Sequence, residues 1–217
     1  MADENRRPNP QNIRAIIFDY GEVLCHIVTP EAITRMATIF QIDPKNFLPI
    51  YLQTRGPYDR GDVEPHDYWH KFAAQAGVKI DAPTIEHVRQ LDLDQWSEIN
   101  EPMVVWLEKI HAAGYKTAIL SNMPTDMVAH VRKNFPWIKH FDHQIFSAEA
   151  RSIKPEPAIY ERCIQALGVK PQEALFIDDR EENLEQARKI GIRGIRFQSV
   201  KHLRGELQAL GFKILPE

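Results

Sequence analysis

Four short polar clusters in this 217-residue chain carry groups that can do chemistry: Asp19 in FDYGEVL, Ser121 and Asn122 in ILSNMP, Lys154 in SIKPEP, and Asp178 with Asp179 in FIDDREEN. Two or three carboxylates at oxygen-ligand distance make a site for a hard cation. Mg²⁺ is the simplest choice, since it is usually held by one or two carboxylates, waters and substrate phosphate. A lysine and a serine beside such a site supply donors for a transferring phosphoryl group, whose transition state spreads negative charge over its peripheral oxygens. With that charge held, Asp19 can attack phosphorus and form an aspartyl-phosphate.

Whether these groups meet depends on the elements that carry them. The run from Ile13 to Phe18 is short, apolar and without solvent-facing alternation, and it ends in a Gly-containing turn. It reads as a strand buried on both faces, the kind from which parallel sheets are built. In open α/β sheets ligands bind beyond the carboxyl ends of the strands, where strand order reverses, and Asp19 sits at such an end. The same residue can also simply cap the turn that follows it, and the strand pattern alone leaves both readings open.

From Glu101 onward helix and strand patterns alternate. Helices are expected over 102–113, 125–134, 156–167, 181–190 and 202–210, and strands over 116–120, 144–146, 174–177 and 194–197. Gly114, Gly168 and Gly191 close three of these helices as left-handed C-terminal caps. Repeated strand and helix units imply an α/β, Rossmann-like parallel sheet of five strands, covered by helices on both faces. Parallel strands share their C-terminal side, so the four polar clusters should converge on one edge.

Between Cys25 and Asn100 the periodicity is helical and interrupted by prolines, with Thr29–Pro30 and Asp43–Pro44 as capped helix starts. Four short helices are expected there, the third over 62–76 and the fourth over 82–99. The domain reading is a helical cap over 25–100, inserted into a core made of 13–24 and 101–217, with residues 1–12 a loose polar tail. Tyr51, Arg55, Tyr58 and Arg60, near a turn of this cap, combine aromatic and cationic side chains that can face the cleft and read substrate. Trp69, Trp96 and Trp106 read most simply as core.

Composition narrows the partners. A formal net charge of -3 and a pI near 6.3, with no block of five like charges, give no pull toward nucleic acid or an anionic membrane, so a small molecule is the expected partner. Cys25 and Cys163 stand apart with no C-x-x-C spacing, which suggests neither a disulfide framework nor a zinc site and fits a reducing, cytoplasmic setting. No stretch reaches the roughly 18 uninterrupted apolar residues of a membrane span. A monomer or homodimer is expected.

Taken together and in this order, FDYGEVL, ILSNM, the lysine of SIKPEP and FIDDREEN resemble the four motifs of the haloacid dehalogenase superfamily, over roughly Arg14 to Phe197. The resemblance implies a Rossmann-like core with a helical cap inserted after the first motif. Position by position it implies Asp19 as nucleophile and Mg²⁺ ligand, the Gly21 carbonyl as a further ligand, and Asp179, aided by Asp178, completing the metal site. Ser121, Asn122 and Lys154 are implied as phosphate-binding, Ser121 and Lys154 also as catalytic groups. The implied activity is Mg²⁺-dependent hydrolysis of a small phosphomonoester.

One position departs from the family pattern. Phosphatases of this superfamily usually carry a second Asp two residues after the nucleophile, where it protonates the leaving oxygen and later activates water. Here that position is Gly21. Glu22 is the nearest carboxylate, although adjacent positions point differently, and it joins Tyr51, Arg55, Tyr58 and Arg60 as a candidate for reading substrate. The F-D-x-G-x-V pattern is similar to that of members acting on sugar 1-phosphates, whose anomeric oxygen leaves without much help, so a sugar phosphate is the expected substrate. Two alternatives stand beside it. A haloacid dehalogenase would use the same nucleophile, but its D-x-Y-G-T-L pattern has Tyr where Gly21 falls, and Tyr20 is one place too early. A non-catalytic phosphometabolite sensor would keep the site without turnover.

Overall fold

The computed structural model describes residues 12–26 and 29–217, so the expected tail lies outside the described residues except for Asn12. Five strands form one parallel sheet: β1 (Ala15–Phe18), β2 (Lys116–Ser121), β3 (His143–Phe146), β4 (Ala174–Asp178) and β5 (Arg193–Arg196). Their spatial order is β3-β2-β1-β4-β5. The chain therefore starts at the centre, moves outward through β2 and β3, then returns to build β4 and β5 on the other side. This reversal at β1 opens a crevice beyond the carboxyl ends of the central strands.

The unbroken apolar run of β1 is explained by what covers it. Ile16 and Phe18 join one hydrophobic cluster and Ala15 and Ile17 the other, and all four are fully buried. The same division runs through β4, with Leu175 and Ile177 on the first side and Ala174 and Phe176 on the second. Alternation is present in space but hidden in sequence, because both faces are apolar.

Eleven α-helices are described. In chain order they are α1 (Pro30–Ile39), α2 (Pro44–Thr54), α3 (Gly56–Asp59), α4 (Pro65–Gln75), α5 (Ala82–Gln95), α6 (Glu101–Ala112), α7 (Thr125–Asn134), α8 (Ser147–Ala150), α9 (Pro157–Leu167), α10 (Glu181–Lys189) and α11 (Val200–Ala209). The first face of the sheet is covered by α6, α7 and α11 through Met103, Trp106, Val131 and Leu203, among others. The second is covered by α9 and α10 through Ile159, Cys163, Leu167 and Leu184. Cys163, like Cys25, is a free thiol buried in this packing.

The segment between β1 and α6 is helical, as its periodicity predicts, but holds five helices rather than four. The additional one, α3, is a single turn, and the Gly56–Pro57 pair that reads as a break in the sequence instead starts it, with Pro at the head of the turn. Thr29 and Asp43 cap α1 and α2 as expected, accepting from Ala32 N at 3.2 Å and Lys45 N at 2.9 Å. The five helices enclose a hydrophobic cluster of their own, in which Phe40 meets Phe72 edge-on at 4.7 Å and stacks on Trp69 at 5.8 Å.

The insertion is seated on the sheet domain by polar contacts. Tyr58 Oη donates to Asp126 Oδ1 at 2.8 Å, Arg89 reaches Asp126 Oδ2 at 3.3 Å, Arg60 pairs with Glu156, and Arg151 donates to the Gly61 carbonyl. No described helix is long and apolar enough to cross a membrane.

Candidate active site

The register of the sheet assembles the polar residues. Phe18 lies opposite Ile119 of β2 and Ile177 of β4, so the next residue, Asp19, comes level with Asp178, and Ser121 ends β2 two residues past Ile119. The Asp19 N–H donates to the Ile177 carbonyl at 2.9 Å, which carries the pairing one residue beyond β1. The chain then turns, with Glu22 in the left-handed region at φ 63°.

Lys154 is the hub of the site. Its Nζ lies 2.7 Å from Asp19 Oδ1 and 2.7 Å from Asp178 Oδ2, and the residue is only 4% exposed. Asn122 fixes its backbone from both sides: Asn122 Nδ2 donates to the Lys154 carbonyl at 2.9 Å, and the Lys154 N–H donates to Asn122 Oδ1 at 2.7 Å. Both ends of the Asn122 amide thus hold Lys154, while the residue itself lines the cavity. Ser121 differs: its hydroxyl makes no hydrogen bond among the described residues and stands free at the strand tip.

The three aspartates have unequal surroundings. Asp19, Asp178 and Asp179 each offer a carboxylate oxygen within 4.8 Å of the other two, a donor set suited to a hard divalent cation. Asp178, fully buried, is already saturated: besides Lys154 it accepts from Asn183 Nδ2 at 3.0 Å and from the Arg180 N–H at 2.8 Å. The Asp179 carboxylate makes no hydrogen bond to any other described residue. Asp19 Oδ1 is held by Lys154 and by the Tyr20 N–H at 2.7 Å, which leaves Oδ2 without a partner.

The electrostatics follow from burial and crowding. Burial pushes the Asp19 carboxyl up to about 7, against the pull of Lys154 and with further upward pressure from Asp178 and Asp179. Burial and Asp178 raise Asp179 as well. Burial works against the Lys154 charge, but Asp178 and Asp19 outweigh it and hold the ammonium above its ordinary range. Burial, then Asp179, pushes Glu22 up to about 7. A single lysine does not compensate three clustered carboxylates, and a cation among them would relieve the excess.

These groups open into a cavity of about 430 Å³. Asp19, Gly21, Glu22, Ser121, Lys154 and Asp179 line its sheet end. The insertion contributes Leu48, Leu52, Arg55, Asp59 and Trp96, and the segment after β2 contributes Met123, Pro124 and Met127. Of the four insertion residues expected to read substrate, only Arg55 lines the cavity. Tyr51 is fully buried in the insertion's own core and donates to Asp92 at 2.5 Å, whereas Tyr58 and Arg60 hold the insertion to the sheet domain. Their aromatic and cationic character marks anchoring, which the sequence does not distinguish from recognition.

Sequence reasoning missed Trp96, which it reads as core. An ideal Cβ on Gly21 would stand 3.3 Å from Trp96 Cζ3, so the indole occupies the space beside the position that lacks a carboxylate. Trp96 is held there by its Nε1, which donates to Tyr51 Oη at 3.2 Å, and by its carbonyl, which accepts from Tyr20 Oη at 2.6 Å. Leu48, Leu52 and Met127 were also missed, because apolar residues at helical spacing carry no signal that separates a cleft wall from a core.

Comparison with known proteins adds a family and a fold. A family model for haloacid dehalogenase-like hydrolases matches residues 13–191. Acyl-CoA dehydrogenase family member 10 of Mus musculus is 26% identical over 94% of this chain and 20% of its own length. The chain thus spans about a fifth of that relative. A sesquiterpene phosphatase of Aspergillus oryzae is 25% identical over 84% of this chain and 88% of its own. Among solved structures, a family enzyme of Bacteroides thetaiotaomicron in complex with magnesium and inorganic phosphate shares the fold, with a TM-score of 0.72 and 23% identity over 86% of this chain and 94% of that one. So does L-2-haloacid dehalogenase of Xanthobacter autotrophicus with chloropropionic acid covalently bound, with a TM-score of 0.66 and 21% identity over 94% of this chain and 85% of that one.

Proposed function

The chain belongs to the haloacid dehalogenase-like hydrolase family, and we propose that within it this protein is a Mg²⁺-dependent phosphatase of small phosphomonoesters. The observation that carries this reading is the convergence of three carboxylates on a buried lysine beside an unpaired serine hydroxyl. The sesquiterpene phosphatase relative and the neighbour crystallised with magnesium and phosphate support it.

Asp179 and the Gly21 carbonyl, whose oxygens no other described residue engages, would hold the cation together with the Asp19 oxygen that does not attack phosphorus. Asp178 is better suited to holding Lys154. A bound Mg²⁺ would balance the crowded carboxylates and withdraw charge from the phosphoryl oxygens. Lys154 and the Ser121 hydroxyl then donate to the remaining oxygens of the phosphate. The free oxygen of Asp19 attacks phosphorus, the bond from phosphorus to the ester oxygen breaks, and the leaving oxygen takes a proton from water. In the second step water attacks the aspartyl-phosphate at phosphorus, which frees inorganic phosphate and restores the carboxylate. Gly21 supplies no proton to the leaving oxygen, so esters of more acidic alcohols are cleaved faster. The helical insertion acts as a cap that excludes bulk water from these steps.

The dehalogenase alternative has the solved dehalogenase as a structural neighbour. Displacement of halide from carbon gains nothing from three clustered carboxylates, which repel the acid group of a haloacid, so the phosphatase reading is preferred. The sensor alternative leaves the unpartnered Asp19 oxygen without a purpose. The test is phosphate release from an aryl phosphate and a panel of esters, with Mg²⁺ or chelator, by the natural protein and by Asp19→Asn. Release that requires Mg²⁺ and is lost in the variant supports the proposal. Halide release from a 2-haloacid with no phosphate release from any ester overturns it.

A further inference from the structure

Six apolar side chains line the cavity beside its polar groups: Leu48 and Leu52 of α2, the Trp96 indole, Met123, Pro124 and Met127. Leu52 is 55% exposed, and it and Val105 are the large exposed hydrophobic residues among those described. A leucine left open to water inside a cavity, while Phe47 and Tyr51 of the same helix are fully buried, is a surface that a ligand can cover.

The insertion's polar groups around Arg55 are engaged with one another. Arg55 gives Nε to Asp59 at 3.1 Å and Nη1 to Asp92 and to Tyr51 Oη, Gln95 donates to Asp92 at 2.5 Å, and Trp96 Nε1 donates to Tyr51 Oη. Among the described residues, Arg55 Nη2 and Asp59 Oδ2 are the side-chain atoms left unbonded on the insertion side of the lining. A sugar presents several hydroxyls, each of which loses water on entry and needs a partner in return. Those two atoms, the Glu22 carboxylate and the Arg180 guanidinium are the polar groups left for them, and six apolar side chains make up more of the surface that faces a ligand.

Building on the phosphatase reading, the geometry points to an apolar leaving group: the substrate is the monophosphate of an alkyl, isoprenoid or aryl alcohol, seated with its phosphate at Lys154 and its hydrocarbon against Leu48, Leu52, Trp96 and Met127. This replaces the sugar phosphate expected from Gly21 alone. The thioethers of Met123 and Met127 adapt to chains of different shape, and the indole face accepts an aromatic ring or a chain.

Alkylphosphonates test the subsite without turnover, because their phosphorus–carbon bond is not an ester. Calorimetric titration of the natural protein with ethyl-, butyl-, hexyl- and octylphosphonate in Mg²⁺ should show affinity rising about fourfold per methylene until the cavity is full. In Leu52→Asn, an exposed position that tolerates the change, the increment per methylene should shrink. In parallel, with leaving groups matched, kcat/KM for hexyl phosphate should exceed that for glucose 6-phosphate, and that for phenyl phosphate should exceed that for glucose 1-phosphate, by about tenfold or more, given the hydrophobic increment. Affinity independent of chain length, an unchanged slope in Leu52→Asn, or faster cleavage of the sugar phosphates overturns the apolar-substrate inference and leaves the phosphatase reading intact. Chain-length-dependent binding with no phosphate released from any ester does the opposite: the apolar subsite stands and the phosphatase reading falls.

Discussion

Trp96 stands against Gly21 so closely that a Cβ at position 21 would lie 3.3 Å from the indole Cζ3. That contact sets the position that lacks a carboxylate directly against the apolar wall of the cavity. Restoring the carboxylate alone should therefore fail. Gly21→Asp is expected to hydrolyse an alkyl phosphate no faster than the natural protein, because the indole, tied to Tyr51 and Tyr20, must shift to admit the side chain. Paired with Trp96→Leu, the same change should raise kcat on esters of poor leaving groups by about 10²-fold, the usual yield of a positioned acid. Steady-state rates on alkyl and aryl phosphates for the three proteins check this, and a gain in the single variant equal to that in the double would refute it.

Asp19→Asn should abolish phosphate release, with a loss of about 10³-fold or more, because an amide oxygen does not form the phosphoryl ester. The fold should survive, since the strand pairing at this position runs through the backbone. Rate measurement alongside circular dichroism separates the two effects.

Asp178 and Asp179 are adjacent yet should respond differently. Asp178→Asn removes one of the two carboxylates paired with buried Lys154 and disturbs the contact with Asn183, at a stability cost on the order of 3 kcal/mol. Asp179→Asn removes a carboxylate that no other described residue bonds, so denaturant midpoints should barely move. The Mg²⁺ concentration for half-maximal activity should instead rise about tenfold or more. Urea melts and Mg²⁺ titrations of both variants decide the assignment.

The helical insertion contains a pH-sensitive group in Asp59. Burial raises its carboxyl from 3.8 to about 6, against the Arg55 guanidinium, with Asp92 raising it further and Arg180 lowering it. The folded chain therefore binds a proton that the unfolded chain has released, and folding takes up a proton between about pH 4 and 6. The contribution is fully present below pH 4, declines as pH rises through 6 and is level above, by about 3 kcal/mol at most for two units. Asp19, raised in the same direction, adds a fall of the same sign. Urea melts from pH 4 to 8 should show this decline, and Asp59→Asn should remove its lower portion; an identical slope in the variant would rule Asp59 out.

The sequence by itself determined the parallel α/β core, the helical nature of the insertion and the placement of Asp19, Ser121, Lys154 and the Asp178–Asp179 pair. Such residues are legible because strand ends in a parallel sheet share one edge, so position along the chain maps directly onto position in the site. The tertiary structure alone decided what surrounds them. The Asn122 side chain became a clamp on Lys154, Tyr58 and Arg60 became anchors, and Trp96 and Leu52 became walls of the cavity. Periodicity reports which face of a helix is apolar but not whether that face meets a core, another domain or open space. That depends on how the insertion is set down on the sheet, through contacts between residues far apart in the chain such as Tyr58 with Asp126 and Arg60 with Glu156.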